Sequence, residues 1–339
     1  MGNAHFDRLA EGQREAAFAA LRQVLGTVPI DSVTPIAGGG TAAAILQIDA
    51  GSRRYLLRIE GPPSPLRNPH QYVSLRIAAE AGIAPRLHYA DETARIAVID
   101  FVEQQPLRTF PGGPPALATA LGELLQRLQS TPVFPHFVDY PDIVARLWAH
   151  VGRTGLFAPD VLDAANEHLA AIRERYVWDR TQSVSSHNDA IPANILFDGR
   201  RLWMIDWESA YRNDPLVDLT IVSDNLARTR ELEAILLQAW LGRTLDEETR
   251  ARLPLTRSLT RLYYAGVFFS ASATFPRSRP HTDLSAPPLP EFQQALVEGR
   301  LTPGTPETIH ALGKMFLAAF MTGCETPGFG AAVRPSSPA

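Results

Sequence analysis

The sequence contains almost no lysine or cysteine. Lys314 is the only lysine and Cys324 the only cysteine among 339 residues. A single cysteine excludes an intrachain disulfide and a cysteine metal cluster, and it fits the reducing conditions of the cytoplasm. Because the N-terminal half has no lysine, any phosphate-binding cation there must be an arginine.

The sequence also lacks a strong charge excess and a long hydrophobic run. The net charge is -4, which gives no support for binding nucleic acid or an anionic membrane surface. No apolar run is long enough to cross a bilayer, and the N-terminus shows no secretory signal pattern. We therefore expect a cytoplasmic protein without nucleic-acid or membrane partners, either a monomer or a homodimer.

One segment, 186–206, carries the most chemical information. It reads S-H-N-D-A-I-P-A-N-I-L-F-D-G-R-R-L-W-M-I-D. Pro192 lies between Asp189 and Asn194, which argues for a loop at this point. Two short apolar runs then flank an Asp-Gly pair, the pattern of a β-hairpin.

This hairpin would bring Asn194, where it begins, next to Asp206, where it ends. Few hard oxygen ligands from the protein suit Mg²⁺, which takes its remaining ligands from water and phosphate. Asp189 would then receive the proton of a substrate hydroxyl. Taken singly, these side chains could equally cap turns or end a strand, but the combination is typical of a kinase-type phosphotransfer site.

The motifs H-N-D-x-x-x-x-N-I-L, M-I-D-W-E and N-D-P-L-V-D-L resemble the aminoglycoside phosphotransferase and choline kinase superfamily of small-molecule kinases. Asn188 and Glu208 favour its choline, ethanolamine and thiamine kinase branch. The resemblance implies an α+β, two-lobed, protein-kinase-like fold that uses ATP and Mg²⁺. The composition changes from Pro106 and the chain is then mainly helical, so we place an antiparallel sheet lobe at 1–103 and a larger, mainly helical lobe at 104–339, of which we expect 326–339 to be disordered.

The resemblance also implies roles in the catalytic segment. Asp189 would be the catalytic base, and His187 would support the catalytic loop. Asn194 and Asp206 would hold Mg²⁺, while Asp218 would brace the loop backbone.

In the N-terminal lobe, the resemblance implies a phosphate-binding loop and a strand cation. The cation is Arg58, with Arg53 and Arg54 as alternatives. Glycines between strands are by themselves also ordinary turn residues. The predicted loop consists of Gly38, Gly39, Gly40 and Thr41.

Two further nucleotide contacts follow from the resemblance. The backbone groups of Asp100 and Val102 would pair with adenine, although a plain buried strand is the alternative. Gln71 occupies the position where the family has a glutamate that pairs with the strand cation. An amide supplies no charge, so this departure leaves the anchoring of Arg58 in question.

For the acceptor, the resemblance implies a small molecule with a hydroxyl group. Glu208, Trp207 and Tyr211 are candidate contacts for an amino alcohol through an acid and aromatic rings. The alternatives are a salt-bridging glutamate and aromatic residues in the core. An aminoglycoside, another antibiotic or a sugar is the alternative substrate, and a non-catalytic pseudokinase, favoured by Gln71, is the rival of another class.

Hydrophobic spacing and turn residues predict the remaining elements. The segment 274–290 is proline-rich and reads as an ordered loop or a lid. Strands are predicted within 31–60, 84–91 and 96–102, and helices at 5–25, 69–81, 116–128, 141–150, 159–175, from 214, and at 226–241, 253–269 and 306–321.

Overall fold

The computed structural model describes residues 6, 9–36, 44–61, 68–242 and 245–333. These residues form an α+β fold, as predicted. The helices are α1 (Glu11–Leu25), α2 (Gln71–Glu80), α3 (Gly113–Gln129), α4 (Tyr140–Arg153), α5 (Asp163–Arg175), α6 (Leu216–Leu226), α7 (Arg230–Leu241), α8 (Glu247–Ser272), α9 (Leu289–Val297), α10 (Pro306–Cys324) and α11 (Pro327–Val333). The strands are β1 (Ser32–Pro35), β2 (Ala44–Ala50), β3 (Arg53–Ile59), β4 (Leu87–Asp91), β5 (Ile96–Asp100), β6 (Val184–Ser186), β7 (Ile195–Phe197), β8 (Leu202–Met204) and β9 (Tyr211–Asn213).

The N-terminal sheet has five antiparallel strands in the order β1-β2-β3-β5-β4. Along β3, Tyr55, Leu57 and Ile59 are buried in one core cluster with residues of α1. Because side chains alternate across a strand, Leu56 and Arg58 lie on the opposite face. The helix therefore covers one side of the sheet and leaves the Arg58 side to form a site.

The chain divides into two compact units. One consists of residues 1–137 and 184–242 and contains all nine strands with α1–α3, α6 and α7. The other consists of residues 138–183 and 243–339 and contains the remaining helices. The lobe boundary after residue 103, predicted from the change of composition, stays a prediction.

Most of the predicted helices begin at other residues than expected, and α8 and α2 are two examples. The helix α8 begins at Glu247 instead of Leu253, because Asp246 caps it by accepting a hydrogen bond from Thr249 N at 2.8 Å. Pro254 is therefore inside the helix. The helix α2 begins at Gln71, and the predicted cap Asn68 instead accepts a bond from His70 N in the preceding turn.

The predicted disordered segment 326–339 is wrong in its first part. The structure has α11 at Pro327–Val333, which begins with a proline, a residue suited to the first helical turn. Phe329 is buried and contacts the His168 ring edge-on at 6.0 Å. One buried aromatic residue thus anchors this helix, and residues 334–339 lie outside the described ranges.

The proline-rich segment 274–290 is tied to its own unit by several contacts. His281 N donates to Leu156 O at 2.8 Å, and Ala158 N donates to His281 O at 2.9 Å. Asp283 also pairs with Lys314 at 2.9 Å. These contacts agree with the ordered-loop interpretation. Across the described ranges, no helix has both the length and the apolar character needed to cross a membrane.

His310 gives this unit a titratable group that is held uncharged. Its ring stacks on His281 at 4.0 Å, and its Nδ1 lies 3.2 Å from Ser272 Oγ. Burial, and then the nearby His281 and Lys314, lower the pKa of His310 from 6.5 to about 4. The unfolded chain thus takes up a proton at higher pH than the folded chain does.

We expect stability from this group to be complete above pH 6.5 and to be lost as the pH falls towards 4. His310→Phe keeps a ring but cannot titrate, so its melting temperature should fall less steeply over that range than that of the wild type. Thermal melts at several pH values between 7.5 and 4 measure the two slopes. Identical slopes would contradict the assignment.

Candidate active site

The predicted hairpin is confirmed and places Asn194 beside the end of β8. The strands β7 and β8 pair antiparallel, with Ile195 opposite Met204. One step further, Ile205 N donates to Asn194 O at 3.0 Å. The residue after Ile205 is Asp206, so the two predicted magnesium ligands belong to adjacent ends of one hairpin.

Asn194 is also bonded to Asp189 across the catalytic loop. Its Nδ2 donates to Asp189 Oδ2 at 2.8 Å and to Asp189 O at 2.9 Å. Asn194 is buried, whereas Asp189 is half-buried. The turn between them is a short 3-10 helix starting at Pro192, which agrees with the predicted loop.

The loop backbone is fixed by one buried carboxylate, Asp218 in the first turn of α6. It accepts hydrogen bonds from His187 N at 2.7 Å and Asn188 N at 2.7 Å. Ser186 Oγ donates to the same group at 2.9 Å. Asp218 thus has the bracing geometry that the resemblance implied.

His187 is fully buried beneath the loop. Its Nε2 lies 2.8 Å from Ile205 O, and because a carbonyl only accepts, this nitrogen carries the proton. Burial lowers the pKa of His187, and the nearby Asp218 carboxylate opposes this without reversing it. The His187 ring is neutral and enclosed, and it joins the loop to the end of the hairpin. It therefore positions other groups and has no direct route to a substrate.

Asn188 ties the loop to the segment after the hairpin. It has a left-handed backbone conformation (φ 59°), which asparagine tolerates better than most residues. Its Nδ2 donates to Ser209 O at 2.9 Å and to Tyr211 O at 3.1 Å. Asp206 also has a positive φ, 64°. Uncommon backbone geometry on both sides of the site is typical of functional positions.

Arg58 connects the sheet to this site through three carboxylates. Its Nη2 lies 2.8 Å from Asp206 Oδ1 and 3.3 Å from Glu208 Oε2. Its Nε pairs with Glu60. Glu60 was not singled out from the sequence, although a two-residue spacing on one strand places it on the same face as Arg58.

These contacts determine the charge state of Arg58. Burial by itself would lower the pKa of the guanidinium, but Asp206, Glu60 and Glu208 raise it above its usual value. Arg58 is therefore charged at any pH at which the protein is folded. Three carboxylates thus surround this one guanidinium.

The other candidate arginines have partners outside this cluster. Arg53 lies 3.9 Å from Asp100 and its side chain is about half exposed. Arg54 pairs with the exposed Glu103 at 2.7 Å. Of the three, Arg58 alone lines the cavity described next.

A cavity of about 340 Å³ lies against the face of the sheet that carries Arg58. One part of its lining is apolar and suits a flat aromatic base, and the adjoining part is polar. The apolar set includes Ile45, Leu56, Leu75, Ala97, Ile99, Leu196 and Ile205. The polar set includes Arg58, Glu60, Gln71, Asp206 and Glu208.

The predicted adenine-binding stretch borders this cavity. Asp100 N donates to Arg86 O at 2.9 Å, and Phe101 N donates to Arg54 O at 3.1 Å, so both N–H groups are engaged. Val102 follows the last strand and also lines the cavity. This geometry leaves the carbonyl of Asp100 and the backbone of Val102 as the groups suited to pair with a base.

The remaining predicted residues have different surroundings. Trp207 lines the cavity but is buried, with its ring 4.8 Å from His187 and its Nε1 bonded to Met204 O at 3.2 Å. Tyr211 is buried against Phe137, outside the cavity lining. Their burial against other rings agrees with the core alternative, and their contact with a substrate stays a prediction. The loop Gly38, Gly39, Gly40 and Thr41 lies outside the described residues.

The donor set fits a magnesium ion. Asp206 Oδ1 is buried and accepts no hydrogen bond within the described part of the chain, although it faces Arg58. Asn194 uses its amide nitrogen towards Asp189, which leaves its oxygen for a cation. No cluster of three His, Cys, Asp or Glu side chains suited to a metal occurs among the described residues. Two protein oxygens completed by water and phosphate are a usual magnesium arrangement.

With this geometry established, the chain can be compared with known proteins. Residues 32–254 match the phosphotransferase enzyme family, which is more than half of the chain. The chain belongs to this family. The matched range includes β3, the catalytic loop, the hairpin and α6, so it contains every residue of the cluster described above.

Solved structures share the two-lobed kinase-like fold. A choline/ethanolamine kinase family protein from Mesorhizobium loti is 20% identical with a TM-score of 0.64, covering 95% of this chain and 98% of that one. Choline kinase LicA from Streptococcus pneumoniae is 14% identical with a TM-score of 0.64, covering 90% and 97%. A spectinomycin phosphotransferase in complex with ADP and its antibiotic is 14% identical, with a TM-score of 0.52 and coverage of 94% and 96%.

Sequence similarity to curated proteins is local. Protein LicA of Haemophilus influenzae is 36% identical over 58 residues, which is 17% of this chain and 22% of that protein. The chain thus matches less than a quarter of this relative's length.

The three hydrogen bonds that Asp218 accepts predict a large cost for replacing one of its acceptor oxygens. Asp218→Asn places an amide NH₂ against N–H and O–H donors, so we expect unfolding free energy to fall by roughly 2–4 kcal/mol. Urea denaturation measures this. Asp163→Asn is the control, because Asp163 also lies in the first turn of a helix but is exposed. Equal losses in both variants would contradict the bracing role.

Proposed function

We propose that the protein transfers the γ-phosphoryl group of ATP, with Mg²⁺, to a hydroxyl group of a small molecule. The observation that carries this proposal is a continuous series of contacts. Asp189 bonds to Asn194, the hairpin places Asn194 beside Asp206, and Asp206 pairs with Arg58. Membership of the phosphotransferase enzyme family supports it.

In this proposal Asp189 orients the acceptor hydroxyl and receives its proton. Its side chain is half-buried and is held by Asn194, so one oxygen keeps a fixed direction. His187 and Asp218 hold the loop in place. Positioning and charge neutralisation supply most of the rate enhancement in phosphoryl transfer, which explains why so much of the local structure fixes one loop.

Asn194 and Asp206 would hold Mg²⁺, whose bound charge would offset the negative charge of the transferring phosphates. Arg58 would contact the phosphates through the guanidinium edge that now faces Asp206 and Glu208. The backbone groups of Asp100 and Val102 would pair with adenine, and Gln71 would border the nucleotide. The loop Gly38–Gly40 with Thr41 stays a predicted phosphate contact.

For the acceptor we propose an amino alcohol such as choline, ethanolamine or the hydroxyethyl group of thiamine. The similarity to a choline/ethanolamine kinase family protein and to a choline kinase supports this class. The burial of Trp207 and Tyr211 argues that rings other than these two would surround the ammonium group. An aminoglycoside or another antibiotic is the second candidate, supported by the similarity to spectinomycin phosphotransferase.

The catalytic role of Asp189 has a direct test. Asp189→Asn removes the proton acceptor but keeps an amide of the same size, so we expect kcat to fall roughly 10²–10⁴-fold with little change in melting temperature. The assay measures ADP release from Mg-ATP with choline, ethanolamine, thiamine, homoserine, sugars and aminoglycosides. Asp142→Asn, which removes an exposed ion pair with Arg173, is the control. Near-normal turnover in purified Asp189→Asn protein would refute the role.

The metal role of Asp206 predicts a different kinetic change. Asp206→Asn should raise the magnesium concentration needed for half-maximal ADP release at least tenfold, because one charged ligand becomes neutral. A magnesium titration at saturating ATP measures it, with Asp189→Asn as the comparison whose magnesium requirement should stay close to that of the wild type. An unchanged requirement in Asp206→Asn would contradict metal ligation.

A further inference from the structure

We propose that Glu60 is the positioning residue for Arg58, and that it supplies from the sheet the carboxylate that Gln71 lacks on α2. The proposal rests on the proposed function, because it concerns how the same site binds ATP. Its observable consequence, the affinity for Mg-ATP, can be measured without any acceptor.

The contacts of Arg58 divide between two nitrogens of its guanidinium. Nε pairs with Glu60, whereas Nη2 faces both Asp206 and Glu208. A guanidinium has five donors in a rigid plane, and Nε carries only one of them, so a partner at Nε restrains the plane without using the donors of the terminal nitrogens. Glu60 therefore can orient the side chain without occupying Nη2, the nitrogen that would meet phosphate.

Burial and backbone contacts distinguish Glu60 from the other two acids. Its side chain is 3% exposed, compared with 22% for both Asp206 and Glu208. Its backbone is also fixed, because Glu60 N donates to Arg95 O at 2.9 Å and Gln13 Nε2 donates to Glu60 O at 3.2 Å. Glu60 is thus a permanent partner, while the other two lie where solvent or a ligand can reach them.

The chemistry of the bound state requires such a permanent partner. Asp206 would be engaged by Mg²⁺, and phosphate oxygens would compete with Glu208 for the Nη2 edge of Arg58. Without Glu60, the guanidinium could pair fully with Asp206 and Glu208 and turn away from the nucleotide. Glu60 prevents this turn of the guanidinium by pairing with Arg58 Nε.

Gln71 allows a test in which the negative charge is removed from residue 60 and introduced at residue 71. It is the first residue of α2, is buried, and lines the same cavity as Arg58 and Glu60. The first turn of α2 contains no acid, and a carboxylate there is favoured by the helix dipole. Gln71→Glu is therefore compatible with the helix and returns a negative charge to the cavity.

The experiment compares the wild type, Glu60→Gln and Glu60→Gln/Gln71→Glu by titration calorimetry with Mg-ATP, together with melting temperatures and ADP release. Glu298→Gln is the matched control. Glu298 pairs with Arg300 Nε at the same two-residue spacing, but both side chains are well exposed. We expect Glu60→Gln to raise the Kd for Mg-ATP at least tenfold, the double variant to return within threefold of the wild type, and the control to be unchanged.

A purely structural role of Glu60 would change the melting temperature without this pattern of loss and rescue. A Kd for Glu60→Gln within threefold of the wild type, or no recovery in the folded double variant, would overturn the inference. If Glu60→Gln does not fold, the Kd of the double variant for Mg-ATP decides the test alone. Mg-ATP binding without turnover for any acceptor would count against the proposed function while the Kd series still decides the role of Glu60. Absence of Mg-ATP binding in the wild type would overturn both.

Discussion

The buried carboxylate of Asp218 is the interaction on which the site depends. It accepts hydrogen bonds from one hydroxyl and two backbone N–H groups of the consecutive residues Ser186, His187 and Asn188, so these bonds fix the chain where the catalytic loop begins. That conformation directs the side chain of Asn188 towards the segment after the hairpin and the ring of His187 towards the hairpin end. A single buried acid thus sets the relative position of two chain segments, and because a carboxylate has two oxygens with several lone pairs, it can satisfy all three donors at once.

Much of this arrangement could be predicted from the sequence because it depends on local signals. Asp-Gly between two apolar runs determines a hairpin, and a hairpin determines which residues are neighbours. Pro192 likewise predicts an interruption between Asp189 and Asn194. The helix at Asp214-Pro215 follows from capping preferences, and it places Asp218 in a first turn. The strands within 31–60, 84–91 and 96–102 follow from the same kinds of signal, whereas the α+β, two-lobed fold was implied by the family resemblance.

The parts that could not be predicted depend on contacts between distant residues or on competition between local signals. Whether Trp207 and Tyr211 face a ligand or the core is decided by neighbours far away in sequence, such as Phe134 and Phe137. The predicted start of α8 at residue 253 was wrong because the cap at Asp246 begins the helix earlier, with Pro254 inside it. Glu60 was not predicted because the resemblance implied that the partner of the strand cation lies on the helix, at the position of Gln71.

The Arg58 cluster also changes the interpretation of Gln71. From the sequence alone, a missing glutamate weakened the case for catalysis and favoured a pseudokinase. In the structure carboxylates contact both Nε and Nη2 of Arg58, and the nearest in sequence, Glu60, is buried. A guanidinium that is already fixed by carboxylates does not need a further acid at residue 71 to keep its position. The absence of a glutamate at that residue therefore does not by itself favour a pseudokinase.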